Sequence, residues 1–200
     1  MNVYDFDKTI YYPDAMFQFC TFCVLRHPFL WFTYELILIG LAPLYALGIV
    51  KEQYMLTKIY RITKYLKHPE KDIQAFWKKH EKNMQEWYLK IKQPTDLIIS
   101  ASPTYLIKPM TDKLGVKLIA TEVDLKTGKV IKGIMKNQGK SRYILDQDMP
   151  MIENFYSDSL SDTPIALLSE HAYLVKKDEI VPWPHIKDII SKHLYKRMKY

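Results

Sequence analysis

Two cysteines, Cys20 and Cys23, are all that the 200 residues contain. That excludes a disulfide-stapled scaffold, and it leaves a CxxC pair without the second pair that a four-ligand zinc site needs. Both lie in the apolar stretch 15–25, where they read as small hydrophobes on a helix. Glycine is also scarce, at six residues, and with a charged fraction of 26% this argues against disorder. Acidic side chains are in deficit, 22 against 29 Lys and Arg, for a net charge of +7. The surplus is uneven: residues 51–92 hold eleven Lys/Arg against five Asp/Glu, and Lys192, Lys196, Arg197 and Lys199 add a second basic patch. An anionic substrate or an anionic membrane surface is the natural partner of such charge. No recognition motif accompanies it, so no nucleic acid is expected, and no protein partner is inferable. No basic segment precedes an apolar run at the N-terminus, so no signal peptide is expected and the expected location is cytoplasmic, with a peripheral place on the inner membrane face open.

What the chain does have is 48% hydrophobic residues, enough for one substantial core, and a pair of carboxylates, Asp5 and Asp7, directly after the strand-like run Asn2-Val3-Tyr4. Successive strand side chains point to opposite faces, so both carboxylates reach one site only if the strand breaks into a turn between them. That arrangement suits phosphoryl transfer, where one carboxylate attacks phosphorus and the other handles the leaving-group proton.

Residues 11–93 read as wholly helical, divided at prolines. The pattern predicts helices over 14–25, 28–50, 52–66 and 70–92, the last with Ile73, Trp77, His80, Met84, Trp87 and Ile91 on one stripe. From Asp96 onward strands and helices alternate, as in a parallel α/β sheet. Strands are predicted at 96–99, 152–156 and 172–175, a helix at 104–114 capped by Gly115, a hairpin pairing 117–123 with 129–135, and a basic helix over 185–197. Three polar clusters, Asp5/Asp7, Ser100 and Asp158/Asp162, each follow an apolar strand. In a parallel sheet, sites form outside the carboxyl ends of strands, so the three should converge. Four carboxylates together repel unless a cation sits among them, and oxygen-only ligation suits Mg²⁺.

Asp5-Phe6-Asp7-Lys8-Thr9 resembles the DxDxT motif of the haloacid dehalogenase (HAD) superfamily. Leu97-Ile98-Ile99-Ser100 is similar to its second motif, Lys140 to its third-motif lysine, and Ser157-Asp158 with Ser161-Asp162 to its fourth. The resemblance implies a Rossmann-like parallel sheet core, residues 1–10 and 94–200, with an inserted all-helical cap, residues 11–93. It implies that Asp5 is the nucleophile of an aspartyl-phosphate route and Asp7 the general acid and base. Ser100, the N–H of Ala101 and Lys140 would hold phosphate. Mg²⁺ would be bound by Asp5, Asp7 and Asp158, with Asp162 close by. The phosphoserine phosphatase-like branch (subfamily IB) has such a cap, and the run Phe155 to Pro164 is similar to the fourth motif of phosphatidylglycerophosphatase C-type enzymes, which implies a lipid or amphiphilic phosphate as substrate. Two other readings stand beside it. One is a soluble small-metabolite phosphatase of the phosphoserine kind, with Arg26, Glu35 and Arg61 reading the polar group. The other is a catalytically silent membrane-binding scaffold.

The segment 28–50 carries one charge, Glu35. A single membrane crossing there would put Asp5 and Asp158 on opposite sides of the bilayer, so it is excluded for an enzyme that uses both. The helix is either the buried centre of the cap or a contact for a membrane surface.

Overall fold

The computed structural model describes residues 1–136, 138–146, 150–177 and 179–185. The chain opens with strand β1 (Asn2–Tyr4) and then runs through helices α1 (Ala15–Arg26), α2 (Leu36–Ala46), α3 (Glu52–Tyr60), α4 (Pro69–His80) and α5 (Glu86–Ile91). It returns to the sheet as β2 (Leu97–Pro103), followed by α6 (Thr104–Leu114), β3 (Lys117–Thr121), α7 (Gln138–Asp146), β4 (Ile152–Ser157), α8 (Thr163–Ala166), β5 (Ser169–Lys176) and β6 (Glu179–Pro182). The sheet order is β3-β2-β1-β4-β5-β6, with every pairing parallel except β5 with β6. This is the mixed α/β, largely parallel core that the alternating pattern predicts.

Alternation along the short strands divides the core between the two faces. Val3, Leu97, Ile99, Phe155 and Ile165 are buried together in one cluster. Tyr4 and Ile98 belong to the other, with Tyr88, Trp77 and Phe76 of the helical segment. Tyr4 stacks on Tyr156, and Tyr156 on Tyr173, at centroid separations of 4.8 and 4.9 Å. This ladder ties three adjacent strands at the level where their carboxyl ends open into loops. The helical segment joins the core through specific bonds: Trp77 Nε1 donates to the Leu106 carbonyl at 2.7 Å, and Tyr60 Oη to the Ala101 carbonyl at 2.8 Å.

Several expectations are corrected. The hairpin over 117–135 does not form. Residues 117–121 pair in parallel with β2, which leaves a single antiparallel bridge between Val123 and Val130. The helix expected over 70–92 breaks at 81–85, where Gln85 N–H donates to Ile10 O and Met84 bridges Tyr11, so tertiary pairing outweighs a continuous stripe. The helix expected over 52–66 tightens into a 3₁₀ turn at Arg61–Tyr65, and that over 28–50 begins as a π turn at Trp31–Glu35 before α2. No residue of α2 is buried, so among the described residues it is not the centre of a bundle. β6 had no sequence signal. The expected helix 185–197 and its basic patch lie outside the described residues, apart from His185.

The turn at 124–128 is pressed against the helical segment. Gly128 has φ +62°, and a Cβ there would lie against Arg61 Cα and 3.0 Å from the Tyr60 carbonyl oxygen. Gly48, at φ +71°, has open space around it. Gly128→Ala therefore should cost about 2 kcal/mol or more and Gly48→Ala about 1 kcal/mol, read from urea unfolding midpoints. Equal costs would contradict the close approach.

Candidate active site

The strand β1 ends at Tyr4, and Asp5 N–H donates to Tyr156 O at 2.9 Å, so the Asp5 carboxylate emerges at the carboxyl edge between β2 and β4. A tight turn follows. Ile10 and Tyr11 N–H both bond to Phe6 O, and Lys8 sits at φ 60°, a left-handed conformation that favours glycine. The turn brings Asp7 back toward the site. Asp7 Oδ1 accepts from Ala15 N–H at 2.6 Å, the first residue of α1, and Asp7 Oδ2 accepts from Ser102 Oγ at 2.6 Å and Ser100 Oγ at 3.3 Å.

Lys140, buried at 4% exposure on α7, places its Nζ on Asp5 Oδ1 and, at 2.8 Å, on Asp162 Oδ2. Asp162 also accepts from Ser157 Oγ at 2.9 Å. Thr9 donates to Asp5 Oδ2 and accepts from Asp158 N–H at 2.9 Å. The Ala101 carbonyl is held by Tyr60 and by Thr121 Oγ1 at 2.6 Å. Asp5, Asp7, Ala101, Lys140, Asp158 and Asp162 line one cavity of about 500 Å³. Ser100 is fully buried behind it, its Oγ accepting from Ser102 N–H at 3.0 Å. The convergence expected from strand ends is thus present in the geometry.

Of the helical residues expected to read substrate, Glu35 lines the cavity, and Arg26 and Arg61 do not. Arg26 Nε is bound to buried Asp72 at 3.0 Å, alongside His27. Arg61 backs onto the Gly128 turn. Sequence reading missed three residues. Ser102 was legible, since residues 100 and 102 of one strand share a face. Thr9 was legible as the last member of the opening motif. Tyr60 carried no signal, because nothing local marks which stripe residue reaches the core.

Burial dominates the electrostatics. It raises the Asp5 carboxyl to about 6, with Lys140 opposing, and the Asp7 carboxyl to about 7, with Asp14 adding to the effect. Burial also raises Asp158. Burial alone would depress Lys140, but Asp5 and Asp162 outweigh it and hold the ammonium above its ordinary value. The cavity carries more carboxylate than its buried ammonium can neutralise, and the groups gathered around that ammonium offer oxygen donors, which fits a hard divalent cation such as Mg²⁺. Among the described residues no three His, Cys, Asp or Glu side chains are placed to hold an ion by themselves. Mg²⁺ does not require three, since it is usually bound through one or two carboxylates with water and substrate oxygens.

A family model described as haloacid dehalogenase-like hydrolase matches residues 3–167. No curated protein sequence matches the chain. Among solved structures, a protein of unknown function from Bordetella pertussis Tohama I is similar at TM-score 0.69 and 16% identity, over 96% of this chain and 95% of that one. A probable phosphoserine phosphatase from Vibrio cholerae is similar at 0.64 and 12%, over 100% and 67%. A phosphoserine phosphohydrolase-like protein from Francisella tularensis subsp. tularensis SCHU S4 is similar at 0.55 and 15%, over 89% and 88%. At these identities the structures share the fold.

The raised Asp7 carboxyl has a consequence for stability. Its folded value lies above its unfolded one, so the folded state binds the extra proton, and stability is lost as pH rises from about 4 through about 7. Asn at this position does not titrate and keeps an acceptor for Ala15 N–H. In metal-free protein, Asp7→Asn should raise the thermal midpoint by roughly 2–4 °C or more above pH 7, with no gain near pH 4. A gain independent of pH would contradict the assignment.

Proposed function

The chain belongs to the haloacid dehalogenase-like hydrolase family, and on that footing we propose that it is a Mg²⁺-dependent phosphomonoesterase working through an aspartyl-phosphate, on a lipid or other amphiphilic phosphate at an anionic membrane surface. The observation that carries the catalytic part is the buried Lys140 bridging Asp5 and Asp162 in a cavity that Asp7 also lines.

In this reading Asp5 attacks phosphorus, and the bond from phosphorus to the departing alkoxide breaks as Asp7 gives that oxygen its proton. Asp7 then takes a proton from water, the water oxygen bonds to phosphorus, and Asp5 is released with inorganic phosphate. An acid near pH 7 suits both steps. Lys140 holds the attacking carboxylate and offsets the charge that gathers on the phosphoryl oxygens. Ser100 and Ser102 orient Asp7, and the N–H of Ala101 binds a phosphoryl oxygen on a loop pinned by Tyr60 and Thr121. Thr9 fixes the spacing of Asp5 and Asp158, and Asp162 positions Lys140. Mg²⁺, held by Asp5, the Asp7 main-chain oxygen and Asp158, would supply charge neutralisation for phosphate oxygens. The helical segment 11–93 acts as the cap, excluding water and contacting substrate.

The membrane part rests on exposure. Trp31, Phe32, Leu36, Ile39, Leu47 and Ile49 are each more than half exposed, in a segment bracketed by Arg26 and Lys51. An apolar projection flanked by cations suits the interface of an anionic bilayer. Among the described residues no helix is long and apolar enough to cross a membrane.

Hydrolysis of 4-nitrophenyl phosphate should require Mg²⁺ and fall about 10³-fold or more in Asp5→Asn. Retained turnover in that variant would reject the nucleophile. In flotation with phosphatidylglycerol-containing vesicles, the wild-type chain should float, and Phe32→Glu with Leu47→Glu should remain at the bottom while keeping its circular dichroism. A wild type that does not float would remove the membrane from the account.

A further inference from the structure

The cavity has two chemically distinct ends. Its core end holds the carboxylates and the ammonium groups of Lys140 and Lys8, and Lys136 lies at the seam with α3. Lys140 is committed to Asp5 and Asp162, Lys136 is paired with Glu52, and Lys8 lies beside Asp158 and lowers its carboxyl's affinity for protons. Its other end is built by the helical segment. Met16, Phe17 and Cys20 come from α1, Leu38 from α2, and Leu56 and Ile59 from α3. The only charged side chains that the helical segment adds to this lining, among the described residues, are Asp14 and Glu35, both acidic. Burial among these apolar neighbours raises the Glu35 carboxyl above its ordinary value. Among the described residues, the helical segment adds no cationic side chain to this lining, and Leu38 leads to the exposed apolar residues of α2.

A leaving group with a second negative charge would have to lie in this half, because the phosphate end fixes where the ester oxygen sits. It would meet Glu35 and Asp14, and among the described residues the ammonium of this lining that reaches the helical segment, Lys136, is already paired with Glu52, while Arg26 is bound to Asp72 and neither Arg26 nor Arg61 lines the cavity. An anion desolvated against carboxylates is disfavoured on both counts. An alkyl or acyl chain meets the opposite conditions: an apolar wall, and an exit onto an apolar surface.

We propose that the alcohol released at this site carries no second anionic group, so that the substrate is a phosphomonoester joined directly to an uncharged, chain-bearing alcohol. This rests on the phosphomonoesterase reading and narrows it. It separates the site from substrates whose leaving group bears a carboxylate, such as phosphoserine, and from those whose leaving group bears a phosphodiester, such as phosphatidylglycerophosphate. Glu35 is then a specificity-determining residue that excludes anions.

The test is calorimetric binding to the Asp5→Asn chain, with 4-nitrophenyl phosphate turnover by the wild type as the companion measurement. Dodecyl phosphate, below its micelle concentration, should bind about tenfold or more tighter than O-phosphoserine or dihexanoyl phosphatidylglycerophosphate. Adding Glu35→Lys should shrink the preference over the phosphodiester-bearing ligand by about tenfold. Equal or tighter binding of either doubly anionic ligand, or a preference unmoved by Glu35→Lys, would overturn the inference while leaving the catalysis standing. A wild type that does not turn over the aryl phosphate would overturn the phosphomonoesterase reading itself.

Discussion

A single buried ammonium organises the site. Lys140 reaches from α7 to Asp5 at the end of β1 and to Asp162 beyond β4, so three stretches of chain far apart in sequence meet at one nitrogen. Burying these charges is costly, and their mutual attraction offsets that cost only where geometry and further hydrogen bonds are good. Here Ser157 satisfies Asp162 and Thr9 satisfies Asp5. The arrangement still leaves Asp7 and Asp158 without a buried cation of their own. The site is therefore built electronegative, which suits a bound cation. Because the sheet places β2, β1 and β4 side by side, the same parallel register that forms the core also aims these loops at one point.

Among the contacts that join the helical segment to the core, two reach the groups of the site directly. The first N–H of α1 binds Asp7, and Tyr60 binds the carbonyl of Ala101. A motion that carried α1 and α3 together away from the core would break both and release Asp7 and the Ala101 loop. In the proposed reading, substrate selection and proton transfer share one mechanical element, as expected for a lid that completes a site on closing. The outer side of that element is apolar and exposed.

Much of this was legible in the residues. The apolar runs ending in Asp5 and Ser157-Asp158 each became a strand with its polar cluster at the carboxyl end, while the strand read as ending at Ser100 runs on to Pro103 through an irregularity in register. Lys140 was marked only by its resemblance to a third-motif lysine, with Lys132 and Lys136 close by in sequence, and its bond to Asp5 spans 135 residues. The illegible parts were those decided by distant partners. Residues 129–135 have a strand's alternation, but the strand they would join pairs with β2 instead. The stripe from Ile73 to Ile91 is helical by period, yet the chain breaks at 81–85 because Ile10 and Tyr11 compete for its backbone. The exposure of α2 was open because an apolar helix reads alike whether it is a core or a docking face. Arg26 looked available to substrate only while Asp72 was out of view, and nothing local marks that Arg61 lies outside the cavity lining.

The central claim is that the Asp5 carboxylate accepts the phosphoryl group. Borohydride reduction of enzyme quenched during turnover, followed by peptide mass mapping, tests it directly, since a phosphorylated aspartate is reduced to homoserine. The account predicts homoserine at position 5, dependent on phosphate ester. Turnover with position 5 unreduced, or with homoserine at Asp7 or Asp158 instead, would contradict it.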